Sequence, residues 1–478
     1  MDFCLNTLPR CVALGSKHDN SYLRSVHDES QGGSFVELSA GEGGVMNPRS
    51  RFYLEASEEH DGLMHIRCCY NNKYWVPQQR MLNGSTRWTI GTTDEQEEDL
   101  SKPSCTLFKL IPVTGEDGST CRLLHLQIGK YVAMLSSSDI YKSPYLHIAQ
   151  DETGEDNIIH AFTVLDVSDQ KKLPTYLAFK GDNGKFLGAK IIEGYNYLQY
   201  SIEDIGDPGV LQTIFTNDNG LVRIKSNYFE KFWKLHPNWI RPSSSDTNHT
   251  NKDILFKVTT GPDFIALRNL DNNNFCKRLT TEGKYSCLNA AMNSITNEAK
   301  IQCYEPVVSR DIYDVDFFLD EAKIYTKGLE GLDTQTVENR TTTTNKSTMG
   351  FTYTNTQEST WSSTVSMKIG VKTSLKTGVP FLAKGKIEVS TEFNGSYTWG
   401  KTETQEKEIN KQIVVEVPPM KKVTVKAIGS NGVCDIPFSY KQSDILVNGD
   451  EVVQVFSDGI YFGVKTSSIE FHTKEEDL

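Results

Sequence analysis

The sequence predicts an all-β protein: two tandem β-trefoils followed by an elongated β-sheet domain. Three observations carry this. Helical periodicity is rarely sustained, while short alternating runs separated by Gly, Asn, Asp or Pro recur throughout. The N-terminal part is duplicated. Beyond Val308 the chain turns rich in Ser and Thr and its alternating runs lengthen. At 478 residues it exceeds one ordinary core and suggests roughly three domains of about 150 residues each.

The duplication fixes the first two domains. LPRCVALGSKHDNSYL (Leu8 to Leu23) corresponds to LPTYLAFKGDNGKFL (Leu173 to Leu187), and GLMHIRCCYNNKYW (Gly62 to Trp75) to GLVRIKSNYFEKFW (Gly220 to Trp233). CTLFKLIP from Cys105 matches DILFKVTT from Asp253. Each copy holds a finer repeat. In the second, YLAFKGDNGKFLGAK, LVRIKSNYFEKFWKL and FIALRNLDNNNFCKRL begin at Tyr176, Leu221 and Phe264. Each is a strand, a polar turn and an aromatic that starts the return strand. The first copy keeps the same beat at Val12, Leu63 and Leu124. Three hairpin units per module predict a β-trefoil, in which three equivalent lobes share one core and leave loops free. Trp75 and Trp233 hold matching strand positions and read as core packing. His65, within a strand, reads as structural.

HDGLMHIRCCYNNKYWV, CTLFKLIPV and RLLHLQIGKY in the first copy, with KGDNGKFLG, NWI and CLNAA in the second, resemble the amaranthin-type plant agglutinins. The resemblance implies tandem lectin domains, over 1–155 and 156–308, that bind galactose/N-acetylgalactosamine-type glycans at a subunit interface. A sugar site needs an aromatic face for the pyranose C–H groups and hydrogen-bonding groups around it. Carried onto this sequence, the family's site falls on Ser85, Thr86, Arg87 and Trp88 in NGSTRWTI, with His236, Asn238 and Trp239 in HPNWI. Core and ligand roles both remain open for Trp88 and Trp239. The run Pro77 to Thr86 departs from the family and looks longer.

In the third domain, 309–478, about half the residues from Thr334 to Ser366 are Ser or Thr, as in NRTTTTNKSTMGFTYTNTQESTWSSTVS. Tyr, Phe and Trp at steady intervals favour long strands with hydroxyl ladders over a disordered linker. Further long strands follow Glu392, bounded by Pro418 and Pro419. Between them lies VSMKIGVKTSLKTGVPFLAKGKIEVSTEF, whose odd positions are mostly apolar on both arms of a ribbon with its turn near Gly378. These are Val365, Met367, Ile369, Val371 and Leu375 going up, and Val379, Phe381, Ala383, Ile387 and Val389 coming down. The even positions carry Lys368, Lys372, Lys376, Lys384 and Lys386. A transmembrane β-strand needs about 9–11 residues with alternate ones facing lipid, so each arm qualifies. One hairpin leaves two unpaired edges, so spanning requires a homo-oligomer. TGVPFLAKGKIEVSTE, its Ser/Thr-rich flanks and the later YTWG resemble the insertion hairpin of aerolysin-type pore-forming toxins. That implies an aerolysin-like domain that oligomerises at a surface and inserts a β-barrel into the membrane.

Other functions are disfavoured. A net charge of −12 without a Lys/Arg block argues against nucleic acid. No HExxH, GxSxG, CxxC pair or GxxxxGK[ST] occurs, so no catalytic residue, metal or cofactor is expected. MDFCLNTLPRCVA has no basic n-region or apolar h-region, and ten cysteines sit at irregular spacing. Both suggest a cytoplasmic protein that acts at membranes after release, a plant defence role by resemblance. The alternative is a non-lytic cytosolic lectin whose C-terminal domain only mediates oligomerisation.

Overall fold

The computed structural model describes the chain apart from residues 1–8, 18–20, 32, 40–42, 83, 114–118, 135–144, 151–159, 249, 368, 370, 384–385 and 391–392. Among the described residues the structure is β throughout, with helix confined to short 3-10 turns. The chain forms two compact units. The first is 1–309 with 364–371 and 444–452; the second is 310–363, 372–443 and 453–478.

The first unit holds two twelve-stranded sheets, from Cys11 to Asp166 and from Tyr176 to Tyr304. Each closes on itself. In the first, six strands pair in a ring through Val12↔Phe52, Phe52↔Cys68, Met64↔Phe108, Phe108↔His125, Thr163↔Thr120 and Leu14↔Val164. The second repeats the ring through Leu177↔Gln212, Ile214↔Ile224, Val222↔Phe256, Val258↔Leu267, Ile265↔Ile301 and Phe179↔Cys303. A closed ring leaves no unpaired edge. The remaining strands form three hairpins per module, such as Tyr74–Leu82 with Ser85–Thr93 and Lys231–His236 with Trp239–Ser244. Six ring strands and three hairpins make the β-trefoil that the repeats predict.

Alternation places the core. Trp75 is fully buried, edge-on to Phe52 at 5.1 Å and Phe108 at 6.1 Å between ring centroids. Trp233 meets Phe179 at 5.5 Å and Phe256 at 6.1 Å, and its indole N–H donates to Gln212 Oε1 at 3.0 Å. His65 is likewise structural: Nδ1 meets Thr106 and Nε2 meets Glu98 at 3.0 Å. The modules are tied by Tyr22 Oη donating to Asn219 Oδ1 at 2.8 Å and by the Val45 amide donating to the Asp218 carbonyl at 2.8 Å.

The second unit is built on an eight-stranded sheet of long strands, among them Lys323–Asn339, Asn345–Ser363, Thr402–Val417, Lys421–Leu446 and Glu451–Asp477. The hydroxyl ladders are present, with Thr360 Oγ1 2.8 Å from Thr402 Oγ1 and Thr336 Oγ1 3.2 Å from Thr424 Oγ1. Pro418 and Pro419 end one long strand, and Met420, at φ 55°, leads into the next. The disordered-linker reading of this stretch is excluded.

The ribbon differs from expectation in two respects. Val365–Val371 is not its rising strand; 364–371 belongs to the first unit, and the rising arm begins at Lys372. Nor does the chain reverse at Gly378. Lys372–Thr377 pairs with Phe393–Thr398 and Pro380–Ala383 pairs with Lys386–Val389, so the rising arm runs on past Gly378 to Ala383. Gly378 serves a different end: a Cβ there would lie 2.2 Å from the Ser390 carbonyl oxygen, so only glycine lets the arms approach.

Truncating a fully buried core tryptophan costs about 3–5 kcal/mol. Trp233→Ala is therefore expected to lower the second module's stability by about that amount, read from urea unfolding, with Trp233→Phe losing clearly less.

Candidate functional site

The first module's cap hairpin is the longer of the two. Its strands Tyr74–Leu82 and Ser85–Thr93 have nine residues each, against six for Lys231–His236 and Trp239–Ser244. Register aligns the two hairpins. Trp75 pairs with Thr92 as Trp233 pairs with Pro242, and Thr89 pairs with His147 as Trp239 pairs with Asn289. Trp88 therefore matches Asn238, and Trp239 matches Thr89. The two tryptophans are not equivalent, and their fates differ.

Ser85, Thr86 and Arg87 are exposed and Trp88 is half-buried. With Gln127, Ile128, Lys130, His147 and Ile148 they wall an open pocket of about 610 Å³. This offers the indole of Trp88, two hydroxyls, a guanidinium, an ammonium and an amide, which is the donor set a pyranose requires. Trp239 instead is 8% exposed, packs with Tyr197 and Cys287, and donates its indole N–H to Glu282 Oε2 at 3.2 Å. It offers no stacking face. His236 Nε2 lies 2.6 Å from Ser243 Oγ, and burial, with Arg241 and Lys234 beside it, lowers its pKa. Asn238 is exposed at the cap turn; its Oδ1 lies 3.5 Å from Asn272 Nδ2. The structure thus gathers Ser85, Thr86, Arg87 and Trp88 into one pocket, and His236, Asn238 and Trp239 are not among its lining residues.

Gln127, Lys130 and His147 escaped the sequence reading. They come from the third repeat unit of the first module, whose repeat is most worn. Only the register match of His147 to Asn289 reveals them. His147 is buried, and burial with the Arg87 guanidinium second holds its pKa down to about 4.

The ribbon's apolar side has a definite place in the second unit. Leu375 and Val379 are buried in a cluster with Ile312, Trp361, Cys434, Ile436, Phe438, Tyr440 and Tyr461, against which Ile387 and Trp399 also pack. The rings interlock, with Trp361 to Tyr461 at 4.9 Å and Trp361 to Phe438 at 5.4 Å. Tyr461 Oη donates to the Pro380 carbonyl at 3.1 Å and lies 3.0 Å from Ser359 Oγ. Thr373, Leu375 and Thr377 share one face and are buried; Lys376, on the other, is exposed and pairs with Asp311 at 3.2 Å. Between the pairs Thr377↔Phe393 and Pro380↔Val389 the register shifts by one residue. A one-residue shift changes which residues share a face. Beyond it Pro380 and Leu382 stand opposite Val389 and Ile387, while Phe381 faces Glu388 and Ala383 faces Lys386. An unbroken odd-numbered apolar face is therefore not what the resting ribbon has. Val389 is 41% exposed. Lys368, Lys384 and the side chains of Lys372, Phe381 and Ala383 lie outside the described residues.

The agglutinin-domain family matches residues 6–162 and 171–305. The family of Clostridium epsilon toxin ETX and Bacillus mosquitocidal toxin MTX2 matches residues 288–439. Neither is a family of enzymes. Similar solved structures include the lamprey immune protein, at 14% identity and a TM-score of 0.32 over 63% of this chain and 91% of that one. A mosquitocidal holotoxin is similar at 13% identity and a TM-score of 0.28; 64% of this chain is covered but only 35% of the holotoxin. An aerolysin-like protein of Bombina maxima is similar at 12% identity and a TM-score of 0.24, over 35% of this chain and 99% of that one. No curated protein matches the chain.

Trp88→Ala is expected to weaken saccharide binding tenfold or more while moving stability by no more than about 0.5 kcal/mol, as for a surface change. Trp239→Ala is expected to destabilise the second module by about 3 kcal/mol. Glycan-array titration beside thermal unfolding separates the two. For His147, the unfolded ring protonates near pH 6.5, and the folded one resists until about 4. The unfolded chain then binds the extra proton across that window, so stability falls as pH drops through it. His147→Asn should flatten the slope, measured as urea midpoints at pH 7 and pH 4.5.

Proposed function

Because the chain belongs to the agglutinin-domain family and carries an ETX/MTX2-type toxin domain behind its two lectin modules, we propose that it is a glycan-directed pore former. The lectin modules attach the chain to a cell surface through galactose/N-acetylgalactosamine-type glycans. The toxin-like domain then oligomerises and contributes one hairpin per chain, Lys372–Thr398, to a membrane β-barrel.

The single observation that carries this reading is the way the ribbon is stored. Leu375, Val379 and Ile387 are set against an aromatic cluster rather than left in water. Fully burying one such side chain contributes about 1.5–3 kcal/mol. The ribbon is thus stable where it lies, and leaving requires another apolar environment to replace the cluster. A bilayer supplies one. Both arms, Lys372 to Ala383 and Lys386 to Thr398, exceed the about 9–11 residues that a membrane strand needs. Backbone polar groups in lipid must all be paired, so the two free edges of one hairpin require neighbouring copies. A homo-oligomer follows.

Glycan binding is supported by the pocket around Trp88, whose open shape suits a terminal sugar held weakly. Several such sites on an assembling oligomer convert weak contacts into firm attachment. Lys376 is exposed on the face opposite Leu375, and in a barrel that face, with the other even-numbered lysines of the ribbon, would line water. A lumen carrying these lysines would favour anions. Storage in the cytoplasm and release on damage would suit a defence role.

Dye release from liposomes bearing terminal galactose/N-acetylgalactosamine glycans tests the proposal, beside sugar-free liposomes and an Ile387→Asp variant. Release is expected only with the glycan and the native ribbon, with Ile387→Asp slower by at least tenfold and still bound. Binding without release under every condition would leave a lectin whose toxin-like domain serves oligomerisation alone.

A further inference from the structure

The segment 364–371 joins the long strand Asn345–Ser363 to the ribbon, yet it is folded onto the lectin modules. Its backbone is bonded to the linker between them. The Lys172 amide donates to the Val365 carbonyl at 3.1 Å, the Met367 amide donates to the Lys172 carbonyl at 2.8 Å, and Lys172 and Ser366 form a parallel bridge. Lys171 Nζ donates to the Thr364 carbonyl at 3.1 Å, and the Ile369 amide donates to Glu305 Oε2 at 2.9 Å. Val365 is fully buried in a cluster with Ala13, Tyr22, Val45 and Met46 of the first module and Val167 of the linker. Met367 and Ile369 lie on the second module's core. Beside them an apolar pocket of about 330 Å³ remains, so the seat is incompletely filled.

Strand register gives this strap a purpose. The body strands pair up to Thr360↔Thr402, and the ribbon resumes at Lys372↔Thr398. Between those pairs lie 361–371 on the rising arm and only 399–401 on the falling arm, an excess of eight residues. The strap is that excess. A barrel wall is one continuous ladder, so the excess must be drawn into the rising strand before ladder and ribbon can merge. Eight is even, so drawing it in leaves each side chain on its original face. Extended, eight residues add about 26 Å of reach.

We propose that the strap is an autoinhibitory clasp: the lectin modules hold the rising arm's spare length, and its release is the step that permits insertion. This rests on the pore-forming reading above. The strap's seat combines both modules and their linker, with Val365 on the first module and the linker and Met367 and Ile369 on the second, so a shift of one module against the other on glycan attachment would open it.

Lys172→Cys with Ser366→Cys places two thiols at the bridge, to be joined by a bis-methanethiosulfonate reagent and freed again with reductant; each single variant is treated alike as a control. Bridged protein is expected to bind glycan liposomes normally and release at least tenfold less dye, with recovery on reduction. Glu305→Ala, outside the ribbon, removes one clasp bond and is expected to shorten the lag several-fold and speed hydrogen exchange of the Met367 and Ile369 amides. Full release from the bridged protein would overturn the clasp and leave the pore intact. Silence from every chain, reduced and native included, would overturn the pore-forming reading itself.

Discussion

The second unit depends on one constraint: the apolar face of the ribbon must be kept from water, and an aromatic cluster does so. Leu375 and Val379 meet it by lying against Trp361, Phe438, Tyr440 and Tyr461, with the Tyr461 hydroxyl fixing the Pro380 carbonyl. Aromatic rings suit this duty because each offers a large contact area at little cost in side-chain entropy. Hydrogen bonds add direction, since the ribbon's backbone must also be satisfied wherever it is buried. The sheet's long, hydroxyl-lined strands follow from the same need. Thr and Ser ladders hold extended strands together without adding apolar surface that would compete for the ribbon's place.

In the first unit the constraint is closure. Six strands in a ring consume every backbone edge, which frees the three cap hairpins to vary in length without loss of the barrel. The two modules exploit that freedom differently. The first hairpin is three residues longer per arm and sets Trp88 in an open pocket, whereas Trp239, at the register position of the buried Thr89, packs against Tyr197. One scaffold thereby gives one module a stacking face and the other a firmer cap.

The repeats made the fold legible. A period of two with turn residues between, recurring three times per copy, leaves few architectures other than a trefoil, and the buried positions of Trp75 and Trp233 follow from alternation alone. The pocket around Trp88 was half legible. Ser85 to Trp88 stand in one contiguous loop, whereas Gln127, Lys130 and His147 reach the pocket through long-range pairing that local pattern does not encode. Trp239 shows the converse limit. Its sequence context resembles that of Trp88, but the register places it one position further along, where the first module has the buried Thr89.

The ribbon shows where alternation stops being informative. Odd positions from Val365 to Val389 are mostly apolar, which fits one long straight hairpin equally well as a strap, a shift in register and a shorter hairpin. Period two reports which residues share a face only while the register is unbroken, and a single extra residue on one arm reverses the sense of everything beyond it. Eight residues of strap preserve parity when taken into the rising arm. The proposed insertion would use that alternation, with the strap drawn out as strand. The resting chain satisfies that alternation only in pieces, with Val365 in one cluster and Leu375 in another.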